Sequence, residues 1–270
     1  MNRSWNYFKV SLERCVSWRY LVVLLACAAC YVPDVSEYFI RAIFGETREN
    51  FCVQYMVFNA WIYGGNSVGN IMPMLTTMVA TITYCKEKNN GMDIYLIGRV
   101  GSHSKYAKMK ACSSVFIGGV TAFLGSMLFV ALMSCRISLC TEERLVEMEG
   151  LPFSDMLRTG NEIGYFMVVF YLLALHCMLC NMAALCVSVY VPNPYVVIAT
   201  PVLLSYGWTR LMVLLDMPME WCLNLWLSSR TTVGNYGDLC TVIVATLVVL
   251  SLLGIGMAWF VYKNRDGEES

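Results

Sequence analysis

Few residues of this 270-residue chain have the side chains that catalysis or metal binding requires. It has two histidines, His103 and His176, and neither belongs to an HExxH motif. Cys177 and Cys180 form a CxxC pair, but no second pair accompanies it to complete a zinc site. The sequence also lacks the GxxxxGK[ST] loop that binds nucleotide phosphates. We therefore expect no metal or nucleotide on this chain, and we predict that it is not an enzyme.

Several polar side chains stand within strongly apolar sequence. Asn59, Asn66 and Asn70 are seven and four residues apart, so they share one face if the stretch is helical. His176 and Asn181 lie in the longest apolar run. At membrane depth such groups line a path for a substrate or bond neighbouring helices, and both alternatives stay open. An intramembrane enzyme would need a nucleophile paired with a base, which these residues do not supply.

The composition indicates a membrane protein rather than a soluble domain. Hydrophobic residues make up 58% of the chain and charged residues 14%, whereas about a quarter of a soluble chain is charged. A span needs roughly 20 apolar residues, and we predict six of them, at 16–32, 65–84, 111–133, 164–191, 195–215 and 239–262. The first is interpreted as an uncleaved helix, because removing a signal peptide would leave an odd number of spans.

The fold class that follows is all-α, a polytopic membrane protein with a single transmembrane domain over 1–270. Residues 1–15 form an amphipathic helix in the membrane interface, since Trp5, Phe8, Leu12 and Cys15 recur at helical spacing. A plain basic flank is the alternative. The bundle of six spans covers 16–262, and 263–270 is a cytoplasmic tail. In the third span, small residues recur every fourth position from Ser114 to Ser126, which favours close helix packing.

Charge sets the orientation of the chain. With both termini inside, the inner side has twelve basic and six acidic residues, and the outer side has seven basic and thirteen acidic ones. All lysines fall on the inner side. Because Lys and Arg concentrate in cytoplasmic loops, both termini are predicted to be cytoplasmic. The formal net charge is zero, and no nucleic-acid partner is expected.

Two outer features remain open at this stage. The segment 216–238 has too short an apolar stretch for a full span, so we predict a half-inserted or surface helix there. Cys135 could pair with Cys140 outside the membrane, and Cys222 with Cys240.

The stretch YLIGRVGSHSKYAKMK at 95–110 lies between the second and third predicted spans. It contains four basic residues and no acidic one. It is predicted to form a short helix from about 91 to 99, a break at Gly101 and Ser102, and a second helix leading into the third span. A basic loop that meets anionic lipid would explain the charge but not the apolar residues Tyr95, Leu96 and Ile97. We therefore expect this stretch to bind a soluble partner.

This layout resembles the six-span permease subunits of bacterial ABC exporters of the lantibiotic-immunity and drug-efflux type. The resemblance covers most of the chain and is most specific between 86 and 119, where an apolar helical turn, an arginine, a break and a basic run precede the third span. His103 stands where that family would have an arginine. The residues that carry it are Lys86, Glu87, Gly91, Tyr95, Leu96, Ile97, Arg99, Gly101, Ser102, Tyr106 and Lys110.

The resemblance implies a multi-pass protein of the bacterial plasma membrane that works with other chains. A cytoplasmic coupling helix would bind a separate ABC-type ATPase subunit, which holds the ATP and Mg. A second permease chain would complete the unit and move an amphipathic peptide, drug or lipid-like substrate outward. A membrane-embedded enzyme (protease or lipid-modifying) and a peptide-binding immunity or sensor protein are the alternatives. The implied coupling residues are Tyr95, Leu96, Ile97, Arg99, Gly101 and Tyr106.

Overall fold

The structure is a computed structural model that describes residues 9–10, 13, 18–44, 52–62, 67–141, 153–217 and 236–266. Within these ranges it is all-helical, without a β-strand. The α-helices are α1 Trp18–Ala29, α2 Tyr31–Asp34, α3 Ser36–Phe44, α4 Val53–Val57, α5 Met72–Ala80, α6 Ile82–Asn89, α7 Met92–Val100, α8 His103–Ser134, α9 Ser154–Arg158, α10 Glu162–Tyr190, α11 Pro194–Leu214 and α12 Tyr236–Asp266. Two π-helical segments, Phe58–Ile62 and Ser67–Ile71, lie between α4 and α5.

Three helices of the described chain, α8, α10 and α11, are long and apolar enough to cross a membrane. A fourth candidate is the bent pair of Ser67–Val79 and Ile82–Asn89, whose axes differ by 40°. In sequence, these elements overlap with the third, fourth, fifth and second predicted spans. Within the first and sixth predicted spans, the described residues contain the apolar helical segments Tyr20–Asp34 and Ile243–Met257. The all-helical membrane class is therefore supported, while the count of six remains a prediction.

Helices α8 and α10 form the centre of the structure, with α1, α5 and α12 packed around them. Close approach is possible because α8 carries glycines where α10 presents large side chains. A Cβ atom on Gly118 would lie 1.8 Å from Asn181 Nδ2, and one on Gly119 would lie 2.1 Å from Met178 Cε. The small residues that begin at Ser114 are buried along this face, as predicted for close packing.

An aromatic cluster joins α1 and α2 to this centre. Tyr31 is fully buried, and its hydroxyl donates a hydrogen bond to Ser126 Oγ at 2.8 Å. Its ring stacks on Phe129 at 4.6 Å and meets Phe170 edge-on at 6.3 Å between centroids. The tyrosine thus has an apolar body among aromatic rings and a satisfied polar end, as a buried Tyr requires.

Some predictions fall on residues outside the described ranges. Of the predicted interfacial helix 1–15, only Lys9, Val10 and Glu13 are described, all helical, with Lys9 Nζ 3.9 Å from a Glu13 carboxylate oxygen. The predicted outer helix at 216–238 is described only at its two ends. The predicted tail 263–270 begins within α12, which continues to Asp266, and residues 267–270 lie outside the described ranges.

Gly118→Ala should destabilise the protein by about 1–3 kcal/mol, even though alanine favours a helix. The added methyl group would displace the Asn181 amide, overpack the interface and leave buried polar groups unsatisfied. Gly254→Ala is the matched control, because its Cβ would meet only Met182 Cε at an ordinary 3.9 Å. Thermal unfolding of both variants in detergent is the measurement, and equal melting temperatures would contradict the prediction.

Candidate functional site

The helix α7 is set off from its neighbours by a glycine at each end. Gly91 has φ 67° and Gly101 has φ 78°, both in the left-handed region. No atom lies within 4 Å of a Cβ built on either glycine, so the requirement is conformational rather than steric. The Gly101 N–H donates to Ile97 O at 2.8 Å, which closes the last turn. The predicted helix and break are thus found at Met92–Val100 and Gly101.

One side of α7 packs onto the ends of the longer helices. Ile97 is buried, and Leu96 and Val100 are partly buried beside it. Tyr84 and Tyr106 contribute to the same cluster. The remaining buried members of the cluster come from α8, α10 and α12: Ala111, Met182, Leu185, Val189 and Met257.

The other side of α7 is apolar as well, but it is exposed. The exposed fractions are 41% for Met92, 57% for Ile94 and 63% for Tyr95. The Arg99 guanidinium lies over the Tyr95 ring, 5.8 Å from its centroid, within the range of a cation–π contact. We call Met92, Ile94, Tyr95 and Arg99 the α7 outer face. Neighbouring exposed apolar side chains are common on surfaces that another protein or a membrane covers.

The six implied coupling residues therefore divide between two surroundings. Tyr95, Arg99 and Gly101 are exposed, Leu96 is half-buried, and Ile97 and Tyr106 are buried in the supporting cluster. Met92 and Ile94 belong to the exposed side but were not predicted. Their signal in the sequence is weak, because apolar residues occupy both sides of this short helix.

A buried ion pair supports α7 from behind. Glu87 near the end of α6 and Lys110 in the third turn of α8 are separated by 2.7 Å between Nζ and Oε2. Lys110 also donates to Oε1 at 2.8 Å, and the Tyr106 hydroxyl donates to Oε2 at 3.1 Å. The side chains of the pair are only 7–8% exposed. The carboxylate thus holds together the two helices that enter and leave α7.

The same end of α6 is tied to α10 by side-chain to backbone hydrogen bonds. Lys88 Nζ donates to Val189 O near the end of α10. Asn89 Nδ2 donates to Pro192 O at 3.0 Å. The base of α7 is therefore connected to three of the candidate spans.

The candidate substrate path shows a different geometry. His176 is fully buried, with Nε2 3.3 Å from Gly69 O and its ring 5.7 Å from that of Trp61. Among the described residues, neither His176 Nδ1 nor Trp61 Nε1 has a hydrogen-bond partner. This part of α10 therefore faces the π-helical segment Ser67–Ile71.

The asparagines of the path bond to neighbouring groups. Thr77 Oγ1 donates to Asn181 Oδ1 at 2.7 Å, and Asn181 Nδ2 donates to Thr76 Oγ1 at 3.2 Å. Ser205 Oγ donates to Asn70 Oδ1 at 3.3 Å. Within the described residues, these contacts favour the interhelical alternative for Asn70 and Asn181.

Two members of the path remain apart from these contacts. Asn59 Nδ2 donates to Tyr55 O at 2.8 Å, within its own helical turn. Asn66 lies outside the described residues. The described members of the path thus lie on the two π-helical segments and on α10. They do not converge on a single site.

No metal centre is visible in the part of the chain that the structure describes, where no three His, Cys, Asp or Glu side chains lie close enough to hold an ion. Comparisons with protein-family models, curated proteins and solved structures find no match. The resemblance to exporter permeases therefore remains a prediction from the sequence.

Lys110→Met should destabilise the protein by about 3–5 kcal/mol, because it leaves the buried Glu87 carboxylate without its cationic partner. The double variant Glu87→Gln with Lys110→Met should recover most of that loss. Lys108→Met is the control, since Lys108 is exposed on the same helix. Thermal unfolding would measure the stability of all three variants. If Lys110→Met is as stable as Lys108→Met, the proposed role of the ion pair is wrong.

Proposed function

We propose that this chain is the membrane-spanning subunit of an ATP-driven exporter of the bacterial plasma membrane. A separate ABC-type ATPase subunit binds and hydrolyses ATP with Mg, and a second permease chain completes the assembly. The substrate is an amphipathic peptide, drug or lipid-like molecule. The α7 outer face is the observation that carries this proposal.

The first observation that supports this proposal is the shape and rigidity of α7. Its ends are set by two left-handed glycines, and Ile97 anchors it in the cluster of buried residues. A short helix held in this way loses little conformational freedom when a partner binds, which favours affinity. Tyr95 and Arg99 are of the types enriched among the residues that dominate binding energy at protein interfaces.

The second observation that supports this proposal is the connection between α7 and the candidate spans. Two residues, Asn90 and Gly91, join it to α6, and Gly101 with Ser102 joins it to α8. Because the Glu87–Lys110 pair fixes those two helices to each other, a displacement of α7 would move both together. In the proposed cycle, ATP-dependent closure of the ATPase displaces α7 and shifts the population between two membrane conformations.

The bent pair of Ser67–Val79 and Ile82–Asn89, here called the bent helix, is the element proposed to change shape in that cycle. The axes on either side of Thr81 differ by 40°, and the segment begins with a π-helical turn, a feature frequent at functional sites. It meets α10 through hydrogen bonds of Thr76 and Thr77 to Asn181 and meets α11 through Asn70 to Ser205. Such polar contacts are available for exchange when the helices move.

Tyr95→Ala and Arg99→Glu should each weaken binding of the ATPase subunit about thirtyfold, since loss of an interface anchor costs about 2 kcal/mol. Neither should lower thermal stability much, because both side chains are exposed. The measurement is co-purification of the ATPase from membranes, together with thermal unfolding and substrate efflux. Ile97→Ala should instead lower thermal stability, because Ile97 is buried.

Lys108→Glu is the matched control, with the same charge reversal on an exposed residue nearby. If the basic stretch only attracts lipid, Arg99→Glu and Lys108→Glu should have the same small effect, about 1 kcal/mol per residue. Normal ATPase binding and efflux in both α7 variants would refute the proposal. Peptide binding without any ATPase would favour the immunity or sensor alternative, and turnover by the purified chain would favour an enzyme.

A further inference from the structure

Two cysteines far apart in the sequence meet beyond the end of α8. Cys52 precedes α4 and is fully buried, and Cys140 follows α8 and is half-buried. The two thiols lie close enough to shift each other's pKa, that of Cys52 downward and that of Cys140 upward, and neither is joined in a disulfide. The arrangement therefore brings two sulfur atoms close together outside the candidate spans.

Backbone hydrogen bonds hold the two segments in register. The Val53 N–H donates to Ser138 O at 3.0 Å, and the Gln54 N–H donates to Leu139 O at 3.1 Å. These bonds join the residues next to Cys52 with the residues before Cys140. Ile137 is buried beside them in the main core cluster. The meeting of the thiols thus follows from fixed backbone rather than from the position of two exposed side chains.

We propose that Cys52 and Cys140 are a thiol-oxidation site that forms a reversible disulfide on the outer side of the membrane. The proposal rests on the orientation predicted from charge, which places the basic start of α8 inside and its other end outside. It does not depend on an ATPase or on transport. The outer side of a bacterial plasma membrane permits disulfides, whereas the cytosol keeps thiols reduced.

The reaction is thiol–disulfide exchange with an oxidoreductase that presents a disulfide. Cys140 is the more accessible thiol, although its neighbour Cys52 and burial raise its pKa. After losing its proton, its sulfur attacks that disulfide and forms a mixed disulfide, releasing one oxidoreductase thiol. The Cys52 thiolate then attacks the Cys140 sulfur and releases the second thiol. Two electrons pass from the cysteine pair to the oxidoreductase, and the two thiol protons end on its reduced dithiol.

The surroundings of Cys52 suit it to the second step. In the reduced pair Cys140 lowers the pKa of Cys52 most, but that effect ends once Cys140 has become a mixed disulfide. The backbone hydrogen bonds at Tyr55 and Thr141 also lower this pKa, against the opposing effect of burial, and they do not depend on the Cys140 proton. A thiolate is the attacking species in exchange. Disulfide formation would bring the two sulfurs to a distance of about 2.0 Å.

The expected result of oxidation is a covalent link between the start of α4 and the end of α8. It would fix the outer entry to the π-helical segments, which lead into the bent helix. This pairing differs from the one considered from sequence alone, Cys135 with Cys140. Cys135 instead hydrogen-bonds the Ala131 carbonyl in its own helix, at 3.3 Å.

The test maps disulfides in the full-length protein in native membranes. Intact cells are treated with oxidised glutathione, free thiols are blocked by alkylation, and the purified protein is digested with trypsin without reduction. Cleavage after Arg136 separates Cys135 from Cys140. We expect peptide 49–86 linked to peptide 137–144, two hydrogens lighter than their sum, with fragmentation placing the link at Cys52 rather than Cys85. Reduction should separate the two peptides.

Cys135→Ser should leave this linked pair unchanged, whereas Cys52→Ser and Cys140→Ser should abolish it. A Cys135–Cys140 link, or alkylation of both Cys52 and Cys140 after oxidation, would overturn the proposal. If a serine variant fails to fold, the map of the unaltered protein still decides the matter. Because the disulfide map does not involve an ATPase, a negative result here would not contradict the proposed transport function. Failure of the ATPase experiment would likewise not contradict the proposed disulfide.

Discussion

The buried ion pair of Glu87 and Lys110 is the interaction on which the end of the bundle that carries α7 depends. Moving two charges out of water costs several kcal/mol per ion, and only close pairing with further hydrogen bonds offsets that cost. Here the carboxylate accepts from Lys110 and from the Tyr106 hydroxyl. The pair closes the hairpin of α6 and α8, and α7 lies across the closed end. An apolar contact would join the same helices without fixing their register, whereas the ion pair sets both distance and alignment.

Further into the bundle, the helices are joined by hydrogen bonds between neutral side chains rather than by an ion pair. A polar group within hydrocarbon must find a partner inside the protein, and Asn181 finds two, Thr76 and Thr77 of the bent helix. Gly118 on α8 leaves the space that the amide occupies. The centre of the structure is thus one packing unit in which the absence of a side chain on α8 permits a polar contact between α10 and α5. This explains why small and polar residues recur together in these apolar helices.

Hydropathy predicted α8, α10 and α11 because each signal lies within one continuous stretch of sequence. The break at Gly101 was equally local, since a glycine beside a serine between two helical patterns indicates a turn. Contacts between segments that are distant along the chain could not be predicted from the sequence. The pairing of Cys52 with Cys140 depends on two backbone segments meeting across the fold, and periodicity contains no information about that meeting. The division of α7 into a buried Ile97 and an exposed Tyr95 was also hidden, because both residues are apolar.

The α7 outer face poses a choice between a lipid surface and a protein partner. Anionic lipid attracts basic residues almost regardless of their neighbours, at about 1 kcal/mol each, so it explains exposed lysines such as Lys105 and Lys108. It gives no reason for Arg99 to lie over the Tyr95 ring, or for α7 to be fixed at both ends. A protein surface does give a reason, because binding to a defined pocket rewards a ring and a cation that are already in position. The rigid, preassembled character of α7 therefore favours the proposed protein partner over lipid for this surface.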